Sequence, residues 1–376
     1  MDEIIFRFPH LAEQIFSELD NKSLAKCRET SGSWQDVING ERSYKQRIKK
    51  MMKKKARKHY YQRIIKGFTP LHLAAITGQT QMVMDLINRE NDINPSEKFI
   101  GITPLNLAAK FGFASVCHRI IKNIKVENIN PKDKSGRTPL HLAAISGLVS
   151  VCKLIVDNIV EKNPKDFWEN TPLHHAAKLG QVDVCKYIMG KVQDNNPINL
   201  QGSTPLHFAA DSGQLAAFKV LITNEDDLNI ETKSGYTPFQ LAALNRHLEI
   251  CEFISEYIDK NHPANNGASK NTDVKYAPLH IAANGGHMEV CKFIMETYKN
   301  PKYCHDGWTP LHSAALGGHR KVRELLIENT YYKNPEDSDA ETSLQLAVGW
   351  NRKSITRLFE KVLNKDCPSA KKCKFN

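Results

Sequence analysis

The sequence lacks the long apolar runs that carry a chain into or across a membrane. None of its 376 residues fall in a run of 18 consecutive apolar residues, so no membrane span is expected. The opening stretch, Met1 to Arg7, has no basic start followed by a long apolar run, so no secretory signal is expected either. The nine cysteines then fit a reducing compartment. We therefore expect a cytoplasmic or nuclear protein that is not secreted.

The sequence also lacks the motifs of the common enzymes and metal sites. It contains no zinc-type Cys-x-x-Cys pair, no phosphate-binding glycine loop, no Gly-x-Ser-x-Gly elbow and no His-Glu-x-x-His. We therefore predict that the chain is not an enzyme. On the same grounds we expect no catalytic residue, no metal ligand and no cofactor.

Positive charge is concentrated in one segment. Residues 45–66 contain eleven lysines and arginines and no acidic residue. Removing those eleven from the 52 basic residues leaves 41, against 41 acidic residues in the chain. Apolar residues recur at every fourth position of this segment, which predicts a helix. This segment fits three roles: a linker, a nuclear import signal or a nucleic-acid contact. Because the rest of the chain has no net charge, nucleic acid is an unlikely partner of the chain as a whole.

One phrase recurs along most of the chain. It reads Thr-Pro-Leu-His-x-Ala-Ala at Thr69 and Thr138, and its threonine caps a helix that proline then begins. A glycine follows nine residues after the threonine in most copies, where a helix ends in the left-handed conformation. Recurrent Asn-Pro pairs open the turn between units. The copies start near residues 69, 103, 138, 171, 204, 237, 277, 309 and 342.

The recurrent histidines and cysteines invite a search for chemistry, but each type recurs at a fixed place in the unit. Six histidines lie three residues after a repeat start, which indicates a structural role in hydrogen bonding between units. Five cysteines lie in the second helix, where other units carry Val83 or Phe218. Helices ~8–10 Å apart hold such cysteines too far from one another for a disulfide. We interpret these cysteines as small core residues.

The period and the phrase together resemble the ankyrin-repeat family. The resemblance implies an all-α solenoid of about nine repeats with β-turn fingers over residues 67–363, followed by a flexible tail at 364–376. It also implies that the chain binds another protein. In this family the partner contacts the fingers, four, three and one residues before the threonine, and the end of the first helix, seven and eight residues after it. Those positions hold Phe99, Ile100, Ile102, Phe111, Phe167, Trp168, Leu179, Tyr236, Tyr276, Trp308 and Trp350.

The first 44 residues do not contain the repeat. Phe-Pro precedes an amphipathic run, and Ser-Leu and Ser-x-x-Trp follow it. This order resembles an F-box, the helical module that docks on the adaptor subunit of cullin–RING ubiquitin ligases. The resemblance implies that Trp34 packs inside the module, next to the surface that contacts the adaptor. The adaptor contacts are Phe8, Pro9, Leu11, Ile15, Phe16, Leu19 and Leu24.

Two functions fit these resemblances. In the first, residues 1–44 bind the ligase adaptor, residues 45–66 link the two parts, and the array binds an unknown protein substrate as a single chain within a complex. In the second, residues 1–66 are a cap on the array, since arrays need a polar end. The chain is then an ankyrin scaffold or nuclear adaptor with no ligase role.

Overall fold

A computed structural model describes residues 67–124, 129–222, 228–261, 278–298, 307–329, 336–337 and 341–350. Within these ranges the chain forms seventeen helices and no strand, apart from one isolated bridge between Glu336 and Thr342. The fold is an all-α ankyrin solenoid of repeated helix pairs, as the sequence predicts. The predicted F-box-like module, the basic segment and the tail lie outside the described residues, as does Tyr276.

The described residues fall into two compact units. The first unit comprises residues 67–176 and 181–199, and the second comprises 177–180 and the described residues from 200 onward. The first four helix pairs are α1 Pro70–Thr77, α2 Thr80–Ile87, α3 Pro104–Phe111, α4 Ala114–Asn123, α5 Pro139–Ile145, α6 Val149–Asn158, α7 Pro172–Lys178 and α8 Val182–Met189.

The second unit carries the remaining helices. They are α9 Pro205–Asp211, α10 Leu215–Leu221, α11 Pro238–Leu244, α12 Leu248–Asn261, α13 Pro278–Gly285, α14 Met288–Thr297, α15 Pro310–Gly317, α16 Arg320–Asn329 and α17 Ser343–Gly349. Each first helix of a pair begins at the residue after a predicted repeat start. No helix in the described part of the chain is long and apolar enough to cross a membrane.

The repeat histidine caps its own helix and bonds the next repeat. In the first unit, Nδ1 of His141 accepts a hydrogen bond from the Thr138 backbone N–H at 3.1 Å and also meets the Thr138 hydroxyl at 2.9 Å. Its Nε2 reaches the Asn170 carbonyl of the next repeat at 3.0 Å. His207 in the second unit repeats this, with Nε2 3.1 Å from the Tyr236 carbonyl. The predicted role in hydrogen bonding between repeats is confirmed.

Other repeats keep the cap without the histidine. Asn106 takes its place in the second repeat, where its carboxamide oxygen accepts from the Thr103 hydroxyl at 2.6 Å. Gln240 takes it in the sixth, where the Thr237 backbone N–H donates to Oε1 at 2.8 Å. The cap therefore needs a hydrogen-bond acceptor at this position, not an ionisable ring.

The five repeat cysteines are core residues, as predicted. Each is at 0% exposure, and burial raises the pKa of every one of these thiols to about 12. A thiol at that pKa is almost wholly protonated at neutral pH, which makes it a poor nucleophile. These residues are Cys117, Cys152, Cys185, Cys251 and Cys291.

The glycine that ends the first helix is required for two reasons. Gly78 and Gly213 have φ of 72° and 70°, a left-handed conformation that glycine adopts without a steric cost. A residue of the next repeat also packs against each one. A Cβ on Gly78 would lie 2.6 Å from the Phe113 ring, and a Cβ on Gly213 would lie 2.5 Å from the His247 ring. The sequence predicts the first reason only.

Two of the residues that the structure describes adopt the left-handed conformation without being glycine. Arg246 has φ of 67° at the helix-end position, and Glu169 has φ of 60°. Glu169 lies two residues before the repeat threonine, where neighbouring repeats have Gly136 and Gly202. Arg246 stands where most repeats have the glycine that ends the first helix, so the sequence indicates strain there, whereas the strain at Glu169 was not predicted.

Arg246→Gly should stabilise the second unit. A left-handed non-glycine residue costs ~1–2 kcal/mol, while glycine adds an entropic cost of ~0.5–1 kcal/mol, so we expect a gain of up to about 1.5 kcal/mol. Urea unfolding followed by circular dichroism measures it. Gly213→Ala, at the same position one repeat earlier, is the matched control and should lower stability. An Arg246→Gly protein less stable than the parent would contradict the strain argument.

Candidate protein-binding surface

The fingers of the second, third and fourth repeats are each held by a buried acceptor five or six residues before the threonine. In the third repeat, Oδ1 of Asp133 accepts from the Ser135 and Arg137 backbone N–H groups at 2.8 and 2.9 Å. In the fourth, Oδ1 of Asp166 accepts from the Trp168 and Asn170 backbone N–H groups, both at 2.9 Å. These bonds fix the turn and leave the residues at its tip facing outward. The sequence interpretation missed this acceptor, although an acidic residue five or six positions before the threonine in three successive repeats is a visible signal.

Neighbouring fingers of the first unit are bonded to one another. The Lys134 backbone N–H donates to the Ile100 carbonyl at 2.9 Å, and the Phe167 backbone N–H donates to the Ser135 carbonyl at 3.1 Å. The second, third and fourth fingers therefore form one continuous row, which we call the fingertip row (residues 97–102, 132–137 and 165–170). Because the row is tied by main-chain bonds, it presents its side chains in a fixed order.

Apolar side chains lie at both ends of the fingertip row. Phe167 is 61% exposed and Trp168 is 49% exposed, while Phe99 and Ile100 are half-buried. Exposed aromatic side chains that share one edge mark a protein-binding surface more often than scattered ones do. These four residues occupy the positions four and three residues before the threonine.

The residue immediately before the threonine behaves differently. Its carbonyl accepts a hydrogen bond from the histidine of the preceding repeat, as the Ile102 carbonyl does from Nε2 of His72 at 3.0 Å. This residue therefore lies close to the helices. Ile102, predicted as an exposed contact, is only 5% exposed, and that assignment is corrected here. Tyr236 is half-buried for the same reason.

Trp308 occupies the same position in the eighth repeat and is also held inward. Its carbonyl accepts from Nε2 of His280 at 2.9 Å, and its indole N–H donates to the Ser313 hydroxyl at 2.9 Å. The indole also packs on the His312 ring, with ring centroids 5.2 Å apart. Trp308 is thus half-buried and engaged by its own repeat.

The predicted contacts at the ends of the first helices have unequal exposure. Phe111 is half-buried, with the Lys110 ammonium 5.6 Å from its ring centre. In the second unit, Leu179 is 47% exposed and Trp350 is 61% exposed. These three residues do not belong to the fingertip row.

The fingertip row also carries lysines that the sequence interpretation did not select. Lys98, Lys132, Lys134 and Lys165 are all exposed. The lysines of the third finger reach across to its neighbours: Nζ of Lys134 donates to the Lys98 carbonyl at 2.6 Å, and Nζ of Lys132 donates to the Lys165 carbonyl at 3.2 Å. A basic residue four to six positions before the threonine in three successive repeats is the signal that could have found them.

In the described part of the chain, one cluster has the composition of a metal site. Suitable ligand atoms of His141, Asp166 and His175 lie within 4.8 Å of one another. Both ring nitrogens of His141 already serve the helix cap and the Asn170 carbonyl, and Nε2 of His175 bonds Oδ2 of Asp166 at 2.9 Å. Burial raises the pKa of Asp166, but hydrogen bonds from His175, Asn170 and Trp168 outweigh it and hold that pKa below its usual value. The cluster braces the fourth finger rather than offering open ligand positions.

Comparison with known families matches most of the sequence. The description "Ankyrin repeats (3 copies)" fits residues 40–130, 105–199, 190–264, 261–337 and 279–368. The chain belongs to the ankyrin-repeat family. Ankyrin repeats are protein-binding units, so a protein-binding role follows from the family. The first match begins before residue 67, in a part of the chain outside the described residues. No F-box is detected in residues 1–44.

Relatives of this ankyrin-repeat chain include large spider toxins. Alpha-latrotoxin-Lhe1a of Latrodectus hesperus and alpha-latrotoxin-Lt1a of Latrodectus tredecimguttatus are each 41% identical to it over 71 residues. Each match covers 19% of this chain and 5% of the toxin. The chain thus spans a small fraction of these relatives, and the similarity extends over about two repeats.

Proposed function

We propose that this chain is a substrate receptor of a cullin–RING ubiquitin ligase of the F-box type. In this proposal residues 1–44 bind the adaptor subunit through Phe8, Pro9 and Leu11, and the ankyrin array binds the substrate. The observation that carries the substrate-binding half is the fingertip row, with Phe167 and Trp168 exposed on main-chain-bonded fingers. The order of residues in the first 44 positions supports the ligase half.

Such a receptor performs no chemistry of its own. It raises the effective concentration of the substrate beside the ligating enzyme and holds the substrate in a favourable orientation. A rigid row of exposed side chains suits this task, because little conformational entropy is lost when a partner binds to it. The histidines and cysteines of the array take part in caps and core instead.

The adaptor interaction gives the direct test. The full chain should bind a purified adaptor subunit with micromolar or tighter affinity by calorimetry. Pro9→Ala combined with Leu11→Asp should reduce that affinity at least a hundredfold, because it places a charge in an apolar contact. Phe167→Ala combined with Trp168→Ala is the matched control, since both residues belong to the fingertip row; it should leave adaptor binding unchanged.

A parent chain with no measurable adaptor binding would overturn the ligase half. The scaffold function would then be favoured, with residues 1–66 as a cap. Equal loss of adaptor binding in the control variant would place the adaptor contact on the array instead.

A further inference from the structure

The fingertip row has five basic and four acidic residues, a formal charge of +1, and its acidic residues already have partners. Asp133 pairs with Arg137 at 2.7 Å, Glu169 pairs with Lys165 at 2.8 Å, and Asp166 bonds His175. Glu97, at 2% exposure, accepts from the Phe99 and Ile100 backbone N–H groups, both at 2.7 Å. Three of the four carboxylates, those of Glu97, Asp133 and Asp166, are thus buried, and the fourth is paired with Lys165.

Among the residues with described positions, three lysines of the same row have no acidic partner. Across the residues that the structure describes, no carboxylate lies within ion-pair distance of Lys98, Lys132 or Lys134. Lys134 and Lys132 each donate to one backbone carbonyl. An ammonium group has three N–H donors, so each retains donors for a partner. The row therefore combines positive charge along its middle with exposed rings at its end.

The order along the row is apolar, cationic, apolar. The second finger offers Phe99 and Ile100, the third offers Lys132 and Lys134, and the fourth offers Phe167 and Trp168. Packed repeats lie ~10 Å apart, so the apolar ends are separated by ~20 Å. An extended chain advances ~3.3 Å per residue, so about six residues bridge that distance.

We infer that the fingertip row binds an extended acidic peptide segment of the partner, with apolar side chains about six residues apart and aspartates or glutamates between them. The inference rests on the proposed substrate-binding role of the array and names the class of segment bound. Carboxylates of the segment pair with Lys132 and Lys134, and its apolar ends pack on Phe99 and on Trp168. A single-stranded nucleic acid fits less well, because stacking needs a ring at each successive base and the middle finger has none.

Selection from random peptides tests the inference directly, because it requires only the chain itself and a peptide library. Displayed dodecapeptides are selected on the immobilised full chain, and the enriched peptides are synthesised with a fluorescent label. We expect enriched sequences with a net charge of about −3 and apolar residues spaced as above. Raising sodium chloride from about 0.05 to about 0.5 M should weaken their binding at least fivefold, because exposed charges are screened.

Charge reversal locates the site. Lys132→Glu combined with Lys134→Glu should weaken binding of the enriched peptides at least tenfold, because like charges repel across the contact. Lys153→Glu combined with Lys186→Glu changes the net charge equally on the second helices α6 and α8, where both lysines are exposed, and should leave binding within twofold. Unchanged circular dichroism spectra establish that both variants are folded.

Several outcomes would overturn the inference. These are enriched peptides without net negative charge, no enrichment at all, and equal losses in the two charge-reversal variants. A poly-dT oligonucleotide that binds more tightly than the peptides and displaces them would favour nucleic acid instead. The adaptor measurement tests a contact proposed for residues 1–44 and uses no peptide, so its failure can be told apart from any of these results.

Discussion

The array should lose stability as the pH falls from 6.5 towards about 4. Burial lowers the pKa of His141 and of His207 from 6.5 to about 4, against the opposing effect of their backbone hydrogen bonds. Between those values the unfolded chain binds protons that the folded chain excludes, so stability falls with falling pH. The stabilising effect of neutral histidine is therefore complete above pH 6.5 and is lost as the pH approaches about 4.

The effect should be large because several repeats contribute. One pKa unit corresponds to ~1.4 kcal/mol, so each of these two histidines accounts for on the order of 3 kcal/mol. Burial also lowers the pKa of His72. The pKa of Asp166 lies below its usual 3.8. Its carboxylate therefore stays charged over the pH range in which the histidines act, and its contribution to stability is lost only at lower pH. Urea unfolding at a series of pH values measures the slope, which gives the number of protons taken up.

Glutamine provides a control that keeps the cap. Gln240 shows that this side chain accepts from the repeat threonine, so His141→Gln should fold at neutral pH. Proton uptake on unfolding near pH 5 should fall by about one proton. His141→Ala should instead cost about 3 kcal/mol at neutral pH, since it leaves a cavity and unsatisfied buried groups. A His141→Gln protein with the same pH slope as the parent would assign the slope to other groups.

Two tryptophans should respond in opposite ways to replacement by alanine. Trp168→Ala should change the free energy of unfolding by less than about 1 kcal/mol, as surface changes usually do. It should weaken binding of the selected peptides at least tenfold, because exposed tryptophan is a frequent binding hot spot. Trp308→Ala should cost about 2–4 kcal/mol of stability, because the indole bonds Ser313 and packs on His312.

Thermal unfolding and peptide binding are measured on both variants and the parent. Trp308→Ala should leave binding to the fingertip row of the first unit unchanged at temperatures where the protein is folded. If Trp168→Ala lost as much stability as Trp308→Ala is expected to lose, Trp168 would be a packed residue of the fold. Binding unaffected by Trp168→Ala would exclude the fourth finger from the contact.

The sequence predicts the helices well because each repeat is specified locally. Thr138, Pro139 and His141 determine where α5 begins, and a glycine determines where it ends, so the phrase alone gives the boundary. The buried cysteines were predictable for a similar reason, since a residue that alternates with valine and phenylalanine at one position is a core residue.

The binding surface was harder to predict because exposure depends on the neighbouring repeat. Ile102 and Trp168 both belong to fingers, but the Ile102 carbonyl accepts the bond from His72 and its side chain is buried with it. The sequence likewise does not show which way the lysine side chains extend. Lys134 bonds the preceding finger, and Lys132 bonds the following one. Glu169 was missed although Gly136 and Gly202 occupy the same position in the neighbouring repeats, a signal that this turn needs a left-handed residue.

The bond from each repeat histidine to the carbonyl just before the next threonine has a consequence for how the gene can change. Removing residues 103–137 would join Ile102 directly to Thr138, and the Ile102 carbonyl would still lie before a threonine, ready to accept from His72. Leu148, which packs on Gly112, would then occupy the place of Phe113 against Gly78. Recombination between two copies of the phrase can therefore delete or duplicate a whole repeat. The repeats on either side of the junction would keep the same hydrogen bond and the same packing against the glycine.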